Sequence, residues 1–178
     1  KSFYKATGIP NALVGRDGQI ISQAGWIDAC VLFHRVNKDS NLQCQESNDI
    51  LVKSVSTGKV SSALCKNGLM DYATPIIIEN QIIATLLLGQ VLNEAPNKEF
   101  FHKQAKEFNY DEIKYFDAID SIPIVSKETM ESTMDCIVKM AQMLAKTALS
   151  KLREIRLSDN LDKTTQEKIK LKDILDFS

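Results

Sequence analysis

The chain has 178 residues, of which 44% are hydrophobic and 25% charged, and its formal net charge is −1. This composition is typical of a globular protein long enough for one domain with a sizeable core and an appendage. The near-neutral charge argues against nucleic acid as a direct partner. No apolar run approaches the roughly 20 residues that span a bilayer, so the sequence predicts no membrane segment.

The cysteines favour a reducing compartment. Four cysteines in a chain of this size do not predict a disulfide framework. Cys136 falls within a long amphipathic helix pattern, where a free thiol packs as a small hydrophobe. The other three are an odd set, so we expect a cytoplasmic protein. Because the chain begins at Lys1 rather than Met, it is expected to be part of a longer protein.

Five strands are predicted, over residues 12–15, 19–22, 60–65, 69–78 and 81–92. Tight turns join them at Asp17-Gly18, Asn67-Gly68 and Glu79-Asn80, because Asn and Gly tolerate the positive φ that such turns need. The continuous apolar runs 76–78 and 86–88 indicate a sheet that is covered on both faces for part of its length. Strands and helices in this order predict an α+β fold.

Helical spacing of apolar residues predicts helices over residues 3–9, 28–36, 42–58, 98–108, 111–119 and 126–157. The helix over 28–36 places Cys30 and His34 one turn apart on one side. Gly58, after Thr57, is a fitting C-cap for the next helix, and Ser126 is the expected N-cap of the longest helix. That longest helix carries apolar residues at alternating spacings of four and three, as in a coiled-coil seam: Met130, Met134, Ile137, Ala141, Leu144 and Ala148.

The chain therefore divides into three parts. Residues 1–125 form the expected globular domain, and residues 126–158 form a long helix that packs on it and carries the seam for a homodimer. Residues 159–178 are polar and rich in lysine, and they are expected to form a connector to a downstream output module.

The sequence contains none of the common catalytic motifs that we sought: no phosphate-binding glycine loop, nucleophile elbow or zinc-protease motif. His102 lies on an amphipathic helix pattern and is expected to be a surface residue. Asp17 and Asp71 lie in or near predicted turns, where a carboxylate usually caps backbone amides. We therefore expect a protein that is not an enzyme.

One set of side chains has the chemistry of a metal site: Cys30, His34, Cys44 and Cys65. Thiolate and imidazole are the ligands that zinc prefers, and iron with the same ligands is chemically possible. The spacing matches no standard zinc finger, in which ligands come in Cys-x2-Cys pairs. Two alternatives stay open, namely small buried thiols in the core and a redox-sensing thiol pair.

A second set predicts a small ligand pocket on one side of a curved sheet: Trp26, Phe33, Met70, Tyr72, Leu88 and Gln90. Gln90 ends a hydrophobic strand, and a buried amide needs hydrogen-bond partners from the backbone or from a ligand. The alternative is that the apolar members of this set are simply core residues.

Several ordered motifs resemble the PocR-type sensory domain, and the resemblance runs to about Leu149. They are Lys5-Ala6-Thr7-Gly8-Ile9-Pro10, Trp26-Ile27-Asp28-x-Cys30, Phe33-His34-Arg35-Val36-Asn37, Cys44, Cys65-Lys66-Asn67-Gly68-Leu69, Ala73-Thr74-Pro75-Ile76-Ile77, Gly89-Gln90, Phe100-Phe101 and Gln104-Ala105.

The resemblance implies a variant of the PAS-like fold, with a five-stranded antiparallel sheet, inserted and flanking helices and a long C-terminal helix. It also implies the input domain of a prokaryotic histidine kinase, other signalling protein or transcription regulator that senses small organic compounds such as simple diols. Two departures, Val91-Leu92 after Gly89-Gln90 and the turn at Glu79-Asn80, indicate that the family's ligand need not transfer. The alternatives are a structural dimerisation module and, third, an enzyme that uses a thiolate, Cys30 or Cys65, with His34.

Overall fold

The computed structural model describes residues 1–55 and 60–176. Five strands form one antiparallel sheet in the order β2-β1-β5-β4-β3. The strands are β1 (Asn11–Gly15), β2 (Ile20–Ala24), β3 (Ser61–Leu64), β4 (Met70–Ile78) and β5 (Gln81–Val91). The predicted α+β class and the five-stranded antiparallel sheet are confirmed, because the turn residues and the apolar runs identify every strand to within two residues at each end.

The described chain also contains these helices: α1 (Ser2–Thr7), a π-helix (Ala29–His34), α2 (Lys38–Val55), α3 (Lys98–Glu107), α4 (Glu112–Asp120) and α5 (Lys127–Asp176). The predicted helix over 28–36 is a π-helix, because the Arg35 N–H donates to the Cys30 carbonyl five residues back, at 3.0 Å. The predicted end of the next helix at Thr57-Gly58 lies outside the described residues.

Helix α5 is longer than predicted. Ser126 caps its first turn as expected, since its hydroxyl accepts from the Thr129 N–H at 3.1 Å. The helix then continues to Asp176, so the predicted connector is helical over its described length. No glycine or proline interrupts residues 127–176, which removes the strongest signals for a helix end. Along the described chain, no helix is long and apolar enough to cross a membrane.

The sheet is covered on both faces, as the apolar runs predict. On one face, Leu51 and Val55 of α2 pack against Ala73 of β4, with Leu87 of β5 beside them. We call this the α2 face. On the opposite face, Met130 and Met134 of α5 join a cluster of buried strand side chains, Tyr72, Leu86, Leu88 and Val91, and also Ile9. Successive residues of a strand point to opposite faces, so β5 contributes to both layers.

A third cluster lies where α3 and α4 meet the π-helix. Its fully buried members include Leu69, Phe101, Tyr115 and Ile119. The cluster packs the inserted π-helix against the two helices that follow the sheet. The chain divides into a first compact unit, Lys1–Lys139, which holds all three clusters, and a second that begins at Met140.

Candidate functional site

A cavity of about 80 Å³ lies where the α2 face of the sheet meets α2 and the segment before the π-helix. Four of the six residues predicted for the pocket line it: Trp26, Gln90, and also Tyr72 and Leu88, whose side chains pack in the cluster on the opposite face of the sheet. The other two lie elsewhere. The Phe33 ring packs against Tyr110 and Tyr115, at ring-centre distances of 5.4 and 5.1 Å. Met70 lines a separate surface groove beside Phe100 and Phe101.

Trp26 and Arg35 form one wall of the cavity. The guanidinium carbon of Arg35 lies 4.0 Å from the centre of the Trp26 ring, a cation–π contact. Gly25, with φ of 81°, turns the chain just before the tryptophan. A Cβ at this position would lie 2.3 Å from the Tyr4 ring, so α1 closes over the turn only because residue 25 is glycine.

A β-bulge on β5 forms another part of the cavity wall. Asp71 pairs with Gly89 and Met70 pairs with Val91, so Gln90 is the extra residue of the bulge. Gln90 has φ of 39° and Gly89 has φ of 135°. A Cβ on Gly89 would lie 2.7 Å from the Met70 carbonyl oxygen. The side-chain oxygen of Gln90 is buried and has no hydrogen-bond partner among the described residues, so these residues leave the predicted need of this oxygen for a partner unmet.

Asp71 and Arg35 also line the cavity, and the sequence analysis did not assign either residue to it. Asp71 lies within β4 rather than at a turn. Burial raises the pKa of its carboxyl to about 6, against the lowering effects of the Gln90 backbone N–H, which donates to it, and of the Arg35 charge. The sequence did contain a signal for Asp71, namely an acidic residue inside a mostly apolar strand. A carboxylate is seldom buried in such a strand unless it is paired.

The predicted metal ligands approach one another from the π-helix, α2 and the end of β3. The Cys30 sulfur lies 3.9 Å from His34 Nδ1. The Asn67 side chain donates to the Cys44 sulfur at 3.1 Å, and the Leu69 N–H donates to the Cys65 sulfur at 3.3 Å. Within the described ranges, no group of three or more His, Cys, Asp or Glu side chains is arranged to hold a metal ion.

The thiols have the properties of buried groups. Burial raises the pKa of Cys65 to about 12 and raises those of Cys30 and Cys44 as well. Proximity to other ionisable groups adds to this, since Cys65 and Asp71 both raise the pKa of Cys30. At neutral pH all three are therefore protonated, which fits the alternative of small buried thiols. The prediction that Cys136 packs as a small hydrophobe is wrong, because its side chain is exposed.

Five buried polar side chains beside the thiols form a closed ring of hydrogen bonds, which we call the polar ring: His34, Ser40, Asn67, Gln104 and Tyr115. The Asn67 amide donates to the Ser40 carbonyl at 3.0 Å, and Gln104 donates to Asn67 Oδ1 at 2.9 Å. The Tyr115 hydroxyl donates to Gln104 Oε1 at 2.5 Å. It lies 2.8 Å from His34 Nε2, and the Ser40 hydroxyl closes the ring on the His34 carbonyl at 2.8 Å.

The ring assigns the protonation of His34. A carbonyl only accepts, so the Ser40 carbonyl fixes the direction of the Asn67 amide and, through it, of the Gln104 amide and the Tyr115 hydroxyl. Tyr115 then accepts from His34, and Nε2 carries the proton. Burial lowers the pKa of His34 to about 4. The His34 imidazole is thus neutral, and its unprotonated Nδ1 faces the Cys30 thiol.

A family model described as the sensory domain found in PocR matches residues 1–149. The match covers the sheet, the inserted and flanking helices and the first part of α5. Neither the comparison with curated proteins nor the comparison with solved structures gives a match.

Replacing Tyr115 with Phe tests the polar ring. The substitution leaves the His34 N–H and Gln104 Oε1 buried without partners, and each such group costs about 1–3 kcal/mol. We expect Tyr115→Phe to lower the free energy of unfolding accordingly, as measured by urea denaturation. Tyr4→Phe is the control, because the Tyr4 ring is 38% exposed, and it should change stability by less than about 0.5 kcal/mol. Equal effects of the two substitutions would contradict the ring's role.

Proposed function

Since the chain belongs to the family of PocR sensory domains, we propose that it is the cytoplasmic input domain of a prokaryotic histidine kinase or transcription regulator. In this proposal the domain is not an enzyme. It binds a small organic molecule in the cavity between α2 and the sheet and reports whether the cavity is occupied.

The observation that supports ligand binding most directly is the buried, unpartnered side-chain oxygen of Gln90 at the cavity wall. A buried acceptor without a partner costs about 1–3 kcal/mol, and a bound molecule that donates to it recovers this energy. The backbone of Gln90 is also in the left-handed region, with φ of 39°. Strained residues of this kind cluster at ligand sites.

A chain of contacts supports a relay from the cavity to α5. Tyr72, a residue of the cavity wall, donates from its hydroxyl to the Asn93 side-chain oxygen at 2.9 Å. The Asn93 amide donates to the Val125 carbonyl at 2.8 Å, next to the N-cap of α5. The Val125 N–H donates in turn to the Leu92 carbonyl at 2.8 Å. Ligand occupancy can act on α5 only by favouring one of two arrangements of this segment.

A ligand screen tests the proposal. Trp26 is the single tryptophan of the chain and lines the cavity, so its fluorescence should change when the cavity is filled. Small diols, aldehydes, amines and organic acids are each added to the protein. A ligand that binds the native state should also raise the melting temperature, and at 100 times its dissociation constant it stabilises by about 2.7 kcal/mol.

The matched control is a pair of Ala→Leu substitutions. Ala12 lines the cavity, whereas Ala95 is exposed and lies outside it. Ala12→Leu should abolish the fluorescence and melting responses, and Ala95→Leu should preserve them. A panel in which no compound changes either signal, or in which Ala12→Leu has no effect on binding, would count against the sensor function.

The second candidate function is dimerisation through α5. Large apolar side chains on the second unit are exposed: Met140, Met143, Leu144, Leu152, Ile155, Leu157 and Leu161. The first three positions of the predicted seam, Met130, Met134 and Ile137, pack instead on the cluster that covers the sheet. A dimer seam would therefore begin beyond them. Dimerisation through α5 and ligand sensing can both belong to the same protein, since the two use different parts of the chain.

Sedimentation equilibrium tests the dimer. We expect Leu144→Glu to shift the protein toward monomer, because a charge in an apolar seam must be desolvated on association. Leu144 is 66% exposed, so the monomer itself should keep its stability. Lys146→Glu is the control on the far side of the helix and should leave the mass unchanged. A monomeric parent protein at high concentration would exclude the dimer.

Metal binding by Cys30, His34, Cys44 and Cys65 is a further hypothesis, which is independent of ligand binding in the cavity. Elemental analysis for zinc and iron, on untagged protein purified without chelators, decides between it and buried thiols. From the thiol contacts we expect less than about half an equivalent of metal per chain. About one equivalent, lost in Cys65→Ser and kept in the exposed control Cys136→Ser, would instead support the metal site.

A further inference from the structure

The cavity wall offers more hydrogen-bond acceptors than the protein satisfies. The Gln90 side-chain oxygen is buried without a partner among the described residues. On the same wall, the Asp71 carboxylate accepts the backbone N–H of Gln90. An ionised carboxylate has about four lone-pair sites and no donor, so this one N–H leaves much of its accepting capacity free.

The Asp71 carboxylate forms no ion pair with a described residue. In the described part of the chain, no lysine or arginine nitrogen forms an ion pair with it within 4.0 Å. Arg35 acts on it electrostatically, but its guanidinium is stacked on the Trp26 ring. The other titratable groups that interact with this carboxylate are protonated thiols: Cys30, Cys44 and Cys65.

We propose that the cavity binds a small primary amine as its ammonium ion, which the Asp71 carboxylate and the Gln90 side-chain oxygen hold together. The inference rests on the proposed function, since it names the ligand class of the same cavity. An ammonium group has three N–H donors and no acceptor. Its donors are therefore enough for both residues, and its charge neutralises the carboxylate.

Other small ligands fit the wall less well. A hydroxyl has one donor, so a simple alcohol can satisfy either Asp71 or Gln90 but not both through the same group. A carboxylate has no donor for Asp71 or Gln90, and Asp71 would repel it, while the Arg35 guanidinium on the same wall is already stacked on Trp26. The rest of the wall includes the apolar side chains of Leu51 and Leu87, and a cavity of about 80 Å³ admits a short alkyl chain.

Four probes of matched size separate these ligands: n-propylamine, 1-propanol, propane-1,2-diol and propionate. Each is titrated at constant ionic strength, and binding is followed by Trp26 fluorescence and by the melting temperature. We expect n-propylamine to bind most tightly and propionate not to bind. Sodium and ammonium chloride at the same concentrations control for general salt effects.

Two substitutions test the residues. Asp71→Asn and Gln90→Met should each weaken n-propylamine binding by roughly 10- to 100-fold, the effect of losing a hydrogen bond to a charged group. The matched controls are Asp49→Asn and Gln23→Met at exposed positions outside the cavity, and they should keep the affinity. Melting curves without ligand establish that each variant is folded, and the two variants test the inference independently.

The pH dependence provides a further readout. The amine stays protonated throughout the range of the measurement, whereas the Asp71 carboxyl has a pKa of about 6. Its charge is largely present at pH 7 and largely lost at pH 5. Binding of n-propylamine should therefore weaken by about tenfold between these values. In Asp71→Asn this step should disappear.

Two outcomes would overturn the inference without overturning the sensor function. One is tighter binding of the diol or the alcohol than of n-propylamine. The other is an n-propylamine affinity that neither Asp71→Asn nor Gln90→Met changes. If none of the four probes binds while another compound in the wider screen does, the amine is excluded and the sensor function stands. Failure of every compound in that screen counts against both.

Discussion

The polar ring is the constraint that positions the rest of the first unit. A backbone carbonyl, that of Ser40, sets the direction of each hydrogen bond around the ring as far as His34. Its members come from the π-helix, α2, the turn between β3 and β4, α3 and α4. Since each buried polar group would be costly if left unpaired, these five segments must meet in one arrangement. Arg35, which follows directly after His34, is thereby placed on the cavity wall.

The β-bulge on β5 is the second constraint, and it depends on one glycine. Gly89 brings the strand against the Met70 carbonyl, where a Cβ would collide. The extra residue then places the Gln90 N–H on the Asp71 carboxylate. Beyond the bulge, Val91 is fully buried and pairs with Met70 again. This bulge thus interrupts the ladder beside the cavity, and pairing resumes at Val91 before the strand reaches the segment that precedes α5.

Local signals predicted the fold well and the site in part. Turn residues and apolar runs identified all five strands, and a polar residue at the end of a hydrophobic strand identified Gln90. Asp71 was misinterpreted as a turn cap. Gly89 inside an apolar strand pattern was the available signal for a bulge, and the bulge is what brings Gln90 to this carboxylate. Phe33 and Met70 were assigned by their apolar character alone. Which cluster an apolar side chain joins depends on packing between distant segments, and spacing carries no such information.

Successive side chains of β5 alternate between the two faces of the sheet, so this strand contacts both the cavity side and the layer that α5 covers. Leu87 points to the α2 face, near the cavity, while Leu86 and Leu88 pack with Met130 and Met134 of α5 on the other face. A close-packed layer does not deform continuously, so a shift of the strand at the cavity must be matched by the side chains behind it. The bond from Asn93 to Val125 joins the same strand end to the start of α5. The cavity and the start of α5 therefore contact the same strand, and under the proposed sensor function a ligand that moves Gln90 would act on both faces of that strand.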